Sequence, residues 1–100
     1  MEDSLYFERA KKHMSAEKRK ARKLRQSKWW KQQIANGVCY YCKKHFKPND
    51  LTMDHIVPIA RGGKSTKGNV VTCCKECNSK KTYYIPAEIL LKELNQNSDN

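Results

Sequence analysis

Apolar residues are sparse over the first third of the chain and become more frequent beyond Trp29. Residues 4–35 contain no Gly or Pro and are rich in strong helix formers, and Gly37 stands where a helix would end. This pattern predicts one long helix, continuous or interrupted. Its few apolar positions cannot form a core by themselves, so we expect it to order on a partner or on DNA. These positions are Leu5, Tyr6, Met14, Leu24, Trp29 and Ile34.

Beyond this helix the pattern changes to short segments typical of strands and turns. Residues 38–41 and 51–53 are strand-like and are separated by a turn at residues 48–50, which favours a β-hairpin in this region. Residues 61–68 are Gly-rich and predict a loop, and residues 69–72 predict a second short strand or turn.

Two tryptophans and the last apolar segment complete the pattern. Trp29 and Trp30 are expected to anchor the long helix to the rest of the chain, with stacking on nucleic-acid bases as the alternative. Residues 75–82 are a helical candidate, and Pro86 opens a final helix. That helix has apolar residues at helical spacing, which predicts core packing. They are Ile85, Ile89, Leu90 and Leu94.

Basic residues dominate the charge. Lys and Arg number 21 against 10 Asp and Glu, a formal net charge of +11, and residues 8–31 alone carry +9. Such a balance attracts a polyanion, so nucleic acid is the expected partner, with an anionic membrane surface or a solvated basic face as alternatives. The sequence contains no apolar stretch approaching about 18 residues and no signal-peptide pattern, so we expect a cytoplasmic protein without membrane contact.

Five cysteines are arranged largely as CxxC pairs, which is typical of metal ligands rather than of a disulfide framework. Two thiolates on each of two tight turns predict a closed, structural zinc site, which would stabilise a chain too short for a large core. Cys73 in place of Cys74, or His45 in place of Cys42, is the alternative, and the fifth cysteine would be a free thiol. The regular spacing selects Cys39, Cys42, Cys74 and Cys77.

The 31 residues between the two CxxC pairs exceed what a compact double knuckle needs. The string LTMDHIVPIARGG at residues 51–63, followed by NVVTCCKECNSKK at residues 69–81, resembles the core of the zinc-knuckle HNH endonucleases. The pattern of that family is a DH pair, an intervening Asn, and a His or Asn directly after the last knuckle cysteine. The resemblance covers residues 39–81, and Asn78 replaces the final His, a variant that also occurs in active HNH domains.

The resemblance implies a role for each matched residue. His55 would be the general base, which suits an imidazole pKa near neutrality, and Asn69 would hydrogen-bond the backbone across the loop and orient it. Asp54 and Asn78 would hold one catalytic Mg²⁺ or Mn²⁺ through oxygen ligands. Without the resemblance, the same residues would be a structural His, a turn Asn and a helix-capping Asn.

The implied fold class is small α+β: a ββα-metal core with a four-cysteine zinc site, a long basic N-terminal helix and a short C-terminal helix. The implied reaction is hydrolysis of double-stranded DNA to 5′-phosphate and 3′-hydroxyl ends. We expect residues 1–36 to be a basic DNA-binding extension, residues 37–95 the nuclease domain and residues 96–100 a frayed tail.

Basic side chains are the expected DNA contacts. Arg61 and Lys81 would contact phosphate or stabilise the transition state, unless they are solvated surface bases. The N-terminal helix would add affinity that is independent of DNA sequence, because Lys and Arg on a helix meet phosphates without reading bases. Its candidate residues are Arg19, Arg22, Lys23, Arg25 and Lys28.

Two other functions fit part of the pattern. A non-catalytic, zinc-dependent nucleic-acid-binding module would account for the charge and the knuckles, and an RNA-binding protein of ribosomal or processing type for the charge alone. Neither needs Asp54, His55, Asn69 and Asn78 together. The pattern leaves open nicking against double-strand cutting, a homodimer, and an accessory phage protein as partner; the small size resembles phage-encoded members of the family.

Overall fold

The computed structural model describes the backbone of residues 2–81 and the side chains of residues 4–81. This part of the chain is small α+β, as predicted, with three α-helices and a two-stranded sheet. The helix predicted after Pro86 and the polar tail lie outside the described residues. The helices are α1 (Glu2–Arg25), α2 (Lys28–Ala35) and α3 (Lys75–Lys81), and the strands are β1 (Leu51–His55) and β2 (Val70–Cys74).

The predicted N-terminal helix is present and is interrupted once, between α1 and α2. Ser27 causes the interruption, because its backbone is extended and its Oγ accepts a hydrogen bond from the Trp30 N–H at 3.2 Å, which caps α2. The same hydroxyl donates to the Leu24 carbonyl at 2.6 Å and so ties the end of α1 to the start of α2. Trp30 is only 4% exposed, which agrees with its predicted role as an anchor.

Helix α1 lies against the loop that follows β1. Ala21 and Glu17 are buried on the contact side, His13 Nε2 lies 3.1 Å from the Gly63 carbonyl oxygen, and Glu17 hydrogen-bonds Ser65. The sequence predicted that this helix would order on DNA or a partner. Instead, a few small or polar side chains pack one face of it against its own chain.

A tight turn joins α2 to the first CxxC pair. Gly37 has a φ of +69°, and a Cβ there would lie 2.8 Å from the Phe46 carbonyl oxygen, so only glycine fits without strain. Val38 then forms a single antiparallel bridge with His45, and the Cys39 N–H donates to the Lys44 carbonyl at 3.1 Å. The first pair of cysteines therefore sits in a small hairpin of its own.

The sheet is formed by β1 and β2, which pair antiparallel from Leu51 opposite Cys74 to His55 opposite Val70. The prediction of a hairpin between residues 38–41 and 51–53 is wrong. Residues 38–41 lie against β2 instead: the Tyr40 N–H donates to the Thr72 carbonyl at 2.9 Å. Strand pairing depends on contacts between residues far apart in the sequence, and the short apolar segment at residues 69–72 does not by itself indicate which strand it pairs with.

The connection between β1 and β2 folds back on itself. The Ile56 N–H donates to the Asn69 carbonyl at 2.8 Å and closes the loop where the strands end. Gly63 lies directly against the Val57 carbonyl, in space that any side chain would need. This close approach explains the second glycine of the Gly-Gly pair and brings Ser65 back towards the end of β1.

In the part of the chain that the structure describes, the core surrounds the cysteines. Cys39, Leu51 and Cys74 are buried together, and partly buried apolar side chains pack around them, among them Ile34 and Phe46. Few apolar residues are buried among residues 4–81, so a metal held by the cysteines would contribute much of the stability of this region.

Candidate active site and metal centre

Four cysteine sulfurs form a cluster between the first hairpin and the start of α3. The Sγ atoms of the four predicted ligands all lie within 4.8 Å of one another. Four sulfurs about 2.3 Å from a zinc ion would be about 3.8 Å apart. The cluster therefore fits a tetrahedral metal of this kind with little adjustment, as predicted. Its members are Cys39, Cys42, Cys74 and Cys77.

The protein environment prepares one of these sulfurs for metal binding. Burial disfavours the charged form of Cys39, but backbone N–H donors outweigh burial and lower its pKa to about 6. One donor is the N–H of Cys74, which lies 3.5 Å from Cys39 Sγ. A thiolate is the form that binds zinc, so this position is ready to accept the ion at neutral pH.

The two alternative ligands lie outside the cluster. Cys73 is fully buried, but its side chain leaves the opposite face of β2, and burial together with the charge of Asp54 raises its pKa to about 12. His45 is exposed on the far strand of the first hairpin. Cys73 is therefore the fifth cysteine, which lies outside the cluster.

Asp54 is buried on β1 and carries a dense set of contacts. Its Oδ2 accepts hydrogen bonds from the Tyr41 hydroxyl at 2.5 Å and from Lys81 Nζ at 2.6 Å. Lys81 also donates to the His55 carbonyl. Burial and the bond to Asp54 raise the pKa of Tyr41 well above its usual value, so the phenol remains a proton donor.

This geometry gives Lys81 a different role from the expected phosphate contact. Lys81 is 1% exposed, and its ammonium group lies between Asp54 and the end of β1. A buried charge is tolerated only when it is paired in this way. The ammonium group therefore binds groups inside the protein and does not face solvent, where a phosphate would lie. Lys81 joins the last turn of α3 to β1.

His55 is the last residue of β1, next to Asp54, with its ring partly buried. Its Nε2 lies 2.9 Å from the Ser65 hydroxyl. Burial lowers the pKa of His55, the charge of Asp54 opposes this, and the positive charge of Lys81 adds to the lowering. The net effect is a neutral imidazole near pH 7, which is the form that can accept a proton.

Asn69 holds the loop across from His55. Its Oδ1 accepts a hydrogen bond from the Val57 N–H at 2.9 Å, and its Nδ2 donates to the carbonyls of Val57 at 3.1 Å and Lys64 at 2.8 Å. The side chain therefore bonds the backbone on both sides of the loop, the arrangement that the resemblance implied. Asn69 directly precedes β2 and lies opposite Ile56, the residue that follows β1.

Asn78 and Arg61 are both exposed. Asn78 lies on α3, directly after Cys77 and one turn before Lys81. Cys77 belongs to the cysteine cluster and Lys81 is paired with Asp54, so α3 is held in place on both sides of Asn78. Arg61 ends the short 3-10 turn Ile59–Arg61, which packs against α1. The structure thus groups Asp54, His55 and Lys81 closely and leaves Asn78 and Arg61 at the surface.

The basic residues of the N-terminal helices remain exposed. The five residues predicted to contact DNA all have solvent-exposed side chains, and Arg25 also approaches Met53 Sδ on β1 at 3.8 Å. No helix in the described part of the chain is long and apolar enough to span a membrane. The exposed set is Arg19, Arg22, Lys23, Arg25 and Lys28.

Three residues of this site were not predicted from the sequence: Tyr41, Ser65 and Glu17. Tyr41 and Ser65 carry no local signal, because a Tyr inside a CxxC pair and a Ser in a Gly-rich loop are ordinary residues at such positions. Glu17 did carry a local signal in the sequence. It is one of only two acids among residues 8–31, and an isolated acid in a basic helix indicates a specific partner.

Comparison with known proteins agrees with this geometry. A sequence model of the family described as HNH endonuclease matches residues 39–94, more than half of the chain. The chain therefore belongs to the HNH endonuclease family, and the ββα arrangement of β1, β2 and α3 beside a four-cysteine cluster is the corresponding architecture.

A curated relative lies among restriction enzymes. The type IV methyl-directed restriction enzyme EcoKMcrA of Escherichia coli (strain K12) is 33% identical over an alignment of 73 residues that covers 67% of this chain and 26% of that protein. The chain thus spans about a quarter of the length of this relative.

Proposed function

We propose that the chain is a metal-dependent DNA endonuclease in which His55 is the general base. The observation that carries the proposal is the position of His55 at the end of β1, beside the buried carboxylate of Asp54 and opposite the Asn69 clamp. A neutral, half-buried imidazole can take the proton of a water that attacks a DNA phosphodiester. The expected products carry 5′-phosphate and 3′-hydroxyl ends.

Asp54 and Asn78 are the residues that would hold the catalytic Mg²⁺ or Mn²⁺. Carboxylate and amide oxygens suit these hard ions. Both hydrogen bonds to Asp54 end on Oδ2, and a carboxylate has a second oxygen that can bind a cation. A divalent ion there supplies positive charge for the phosphate and the departing 3′ oxygen.

The cysteine cluster would hold a structural zinc ion that supports this site from one side. Cys77 and Asn78 are neighbours on α3, so a metal that fixes Cys77 also fixes the start of the helix that presents Asn78. All four ligand positions are protein sulfurs, which leaves no open position for substrate.

DNA binding would draw on α1 and α2. Their exposed Lys and Arg side chains can meet phosphates, and double-stranded DNA is the proposed substrate. The name of the relative includes methyl-directed restriction, and because the chain spans only a quarter of that protein, we extend to this chain the nuclease reaction alone.

A second function is favoured by one observation. Lys81 Nζ lies 2.6 Å from Asp54 Oδ2, so the carboxylate already has a cation beside it. If that ammonium excludes a metal ion, the chain would be a zinc-dependent DNA-binding module without catalysis. The two functions differ in one measurable property, cleavage that depends on a divalent ion.

The test is cleavage of supercoiled plasmid by the zinc-loaded protein with Mg²⁺, with Mn²⁺ and with EDTA, comparing His55→Ala with His45→Ala. His45 is exposed and outside the cysteine cluster, so it is a matched control. We expect cleavage that needs the ion, is lost in His55→Ala and is kept in His45→Ala. Binding without cleavage under every metal would favour the second function. Nicked product indicates one site acting once, and linear product indicates a dimer or two events.

A further inference from the structure

The Ser65 hydroxyl lies between His55 and helix α1. Its Oγ is 2.9 Å from His55 Nε2 and 2.6 Å from the backbone carbonyl oxygen of Glu17. Ser65 is 8% exposed, so bulk water does not compete for these bonds. Ser65 and Glu17 are 48 residues apart in the sequence, and the contact exists only because α1 packs on the loop.

The identities of these partners determine where the protons are. A serine hydroxyl has one hydrogen, and a backbone carbonyl can only accept, so the Ser65 hydrogen points to Glu17. The oxygen must then accept from His55, which places the ring proton on Nε2. Nδ1 therefore carries the lone pair and is the ring nitrogen that can accept a proton.

We infer that Ser65, held by Glu17 of α1, is a positioning residue that fixes the tautomer and orientation of the His55 ring. The inference rests on the proposed function of His55 as general base and extends it to a helix outside the ββα core. It also gives α1 a second role, because the same helix that presents basic residues to DNA orients the base.

Glu17 holds Ser65 at two points. Its carbonyl accepts from the Ser65 hydroxyl, and its side-chain Oε1 accepts from the Ser65 N–H at 2.6 Å. The other carboxylate oxygen pairs with Lys20 at 3.0 Å, which restricts the side chain. The serine therefore cannot rotate away from His55 without losing bonds to a buried acid.

The kinetic test compares Ser65→Ala, Ser65→Thr and the control Thr66→Ala in the zinc-loaded, full-length protein. Thr66 is exposed on the same loop, and its hydroxyl makes no hydrogen bond in the described part of the chain. We expect Ser65→Ala to lower kcat for plasmid cleavage roughly 10- to 100-fold, by analogy with the loss seen when the hydrogen-bonded partner that orients a metal-ligating histidine is removed. KM for DNA should stay within about twofold. Ser65→Thr keeps a hydroxyl and should restore most of kcat.

A spectroscopic measurement tests the inference without any variant of Ser65. The ring nitrogens of ¹⁵N-histidine-labelled protein are observed at about pH 8, above the ordinary imidazole pKa of about 6.5. The His55 signals are those absent from His55→Ala. We expect a proton on Nε2 and none on Nδ1. A proton on Nδ1 would overturn the inference.

The outcomes separate this inference from the proposed function. If the wild-type protein cleaves no DNA with any divalent ion, the proposed function fails. If it cleaves and Ser65→Ala retains the kcat of Thr66→Ala, only the positioning role of Ser65 fails.

Discussion

At the scale of single residues, the most constrained group is the Asp54 carboxylate. Tyr41 and Lys81 both donate to it, and Lys81 in addition caps the end of β1 through the His55 carbonyl. Replacing either Asp54 or Lys81 with a neutral residue would leave the other charge buried without a partner. The free-energy cost of such an unpaired charge exceeds the stabilisation that the ion pair provides. Lys81 thus holds the Asp54 side chain in place at the end of β1.

We predict that Lys81→Met lowers the free energy of unfolding by about 3 kcal/mol or more, because it leaves the Asp54 charge buried and unpaired. The control is Lys80→Met. Lys80 pairs with Glu76 at 3.4 Å, but both side chains are more than two-thirds exposed, so the change should be within about 0.5 kcal/mol. Urea unfolding of the zinc-loaded proteins, followed by tryptophan fluorescence, measures both. Equal midpoints would show that the Asp54 pair is not important for stability.

At the scale of secondary-structure elements, the contact between α1 and the loop after β1 is notable for its polar character. His13 and Glu17 reach backbone groups of Gly63 and Ser65, and Ala21 provides close packing. The Ser65 N–H, followed by Lys20, lowers the pKa of Glu17 below its ordinary value of 4.5. The docking of α1 is therefore linked to pH.

The sign of this linkage follows from the direction of the shift. The pKa of Glu17 is lower in the folded protein than in the unfolded chain. The contribution of its carboxylate to the free energy of unfolding is therefore fully present above about pH 4.5 and is lost as the pH falls through the pKa of the folded state. We predict that Glu17→Gln is less stable than wild type near neutral pH and that the difference disappears in acid. Glu8→Gln makes the same charge change at an exposed position of α1 and should match wild type throughout. Thermal melts of the three proteins across pH measure this; a constant difference would contradict the assignment.

The exposed basic residues of α1 and α2 are proposed to bind DNA phosphates. Changing Arg19, Arg22 and Lys23 together to Gln should reduce the salt dependence of DNA binding, because fewer counterions are released. The slope of log K against log salt should fall by about 2.7, or about 0.9 for each phosphate contact. The control changes Lys44, Lys47 and Lys75, which are exposed elsewhere, to Gln. Fluorescence anisotropy at several salt concentrations measures the slopes, and equal slopes for both sets would place the DNA elsewhere.

At the scale of the whole molecule, the cysteine cluster connects the parts of the fold. It joins the first hairpin, the end of β2 and the start of α3, and the small core surrounds it. Where a metal site lies inside the core in this way, the free energy of metal binding contributes to the free energy of folding. The proposed active site should depend on zinc even though no cysteine belongs to it.

We predict that changing the four clustered cysteines to Ser abolishes cleavage and the cooperative unfolding transition, and that chelation of zinc from the wild-type protein does the same. Cys73→Ala is the control, because Cys73 is buried but outside the cluster. It should bind one zinc per chain and still cleave DNA. Zinc content, circular dichroism and plasmid cleavage are measured together. Retained cleavage in the four-fold variant would show that the metal is dispensable.

The sequence by itself determined the features that depend on short spacings. The CxxC pairs predicted the four clustered sulfurs, because two residues between ligands bring them together within one turn. The composition of residues 4–35 predicted the helix but not its break at Ser27. Likewise, the DH pair, the intervening Asn and the Cys-Asn junction predicted the family. Their roles in catalysis remain predictions for the experiments above.

Only the tertiary structure decided which distant groups meet. It paired β1 with β2 rather than with residues 38–41, buried Lys81 against Asp54, and placed Ser65 between His55 and Glu17. These contacts join residues 10 to 48 positions apart, and no local periodicity encodes them. They form because packing α1 on the loop and α3 on β1 buries polar groups that must then find partners.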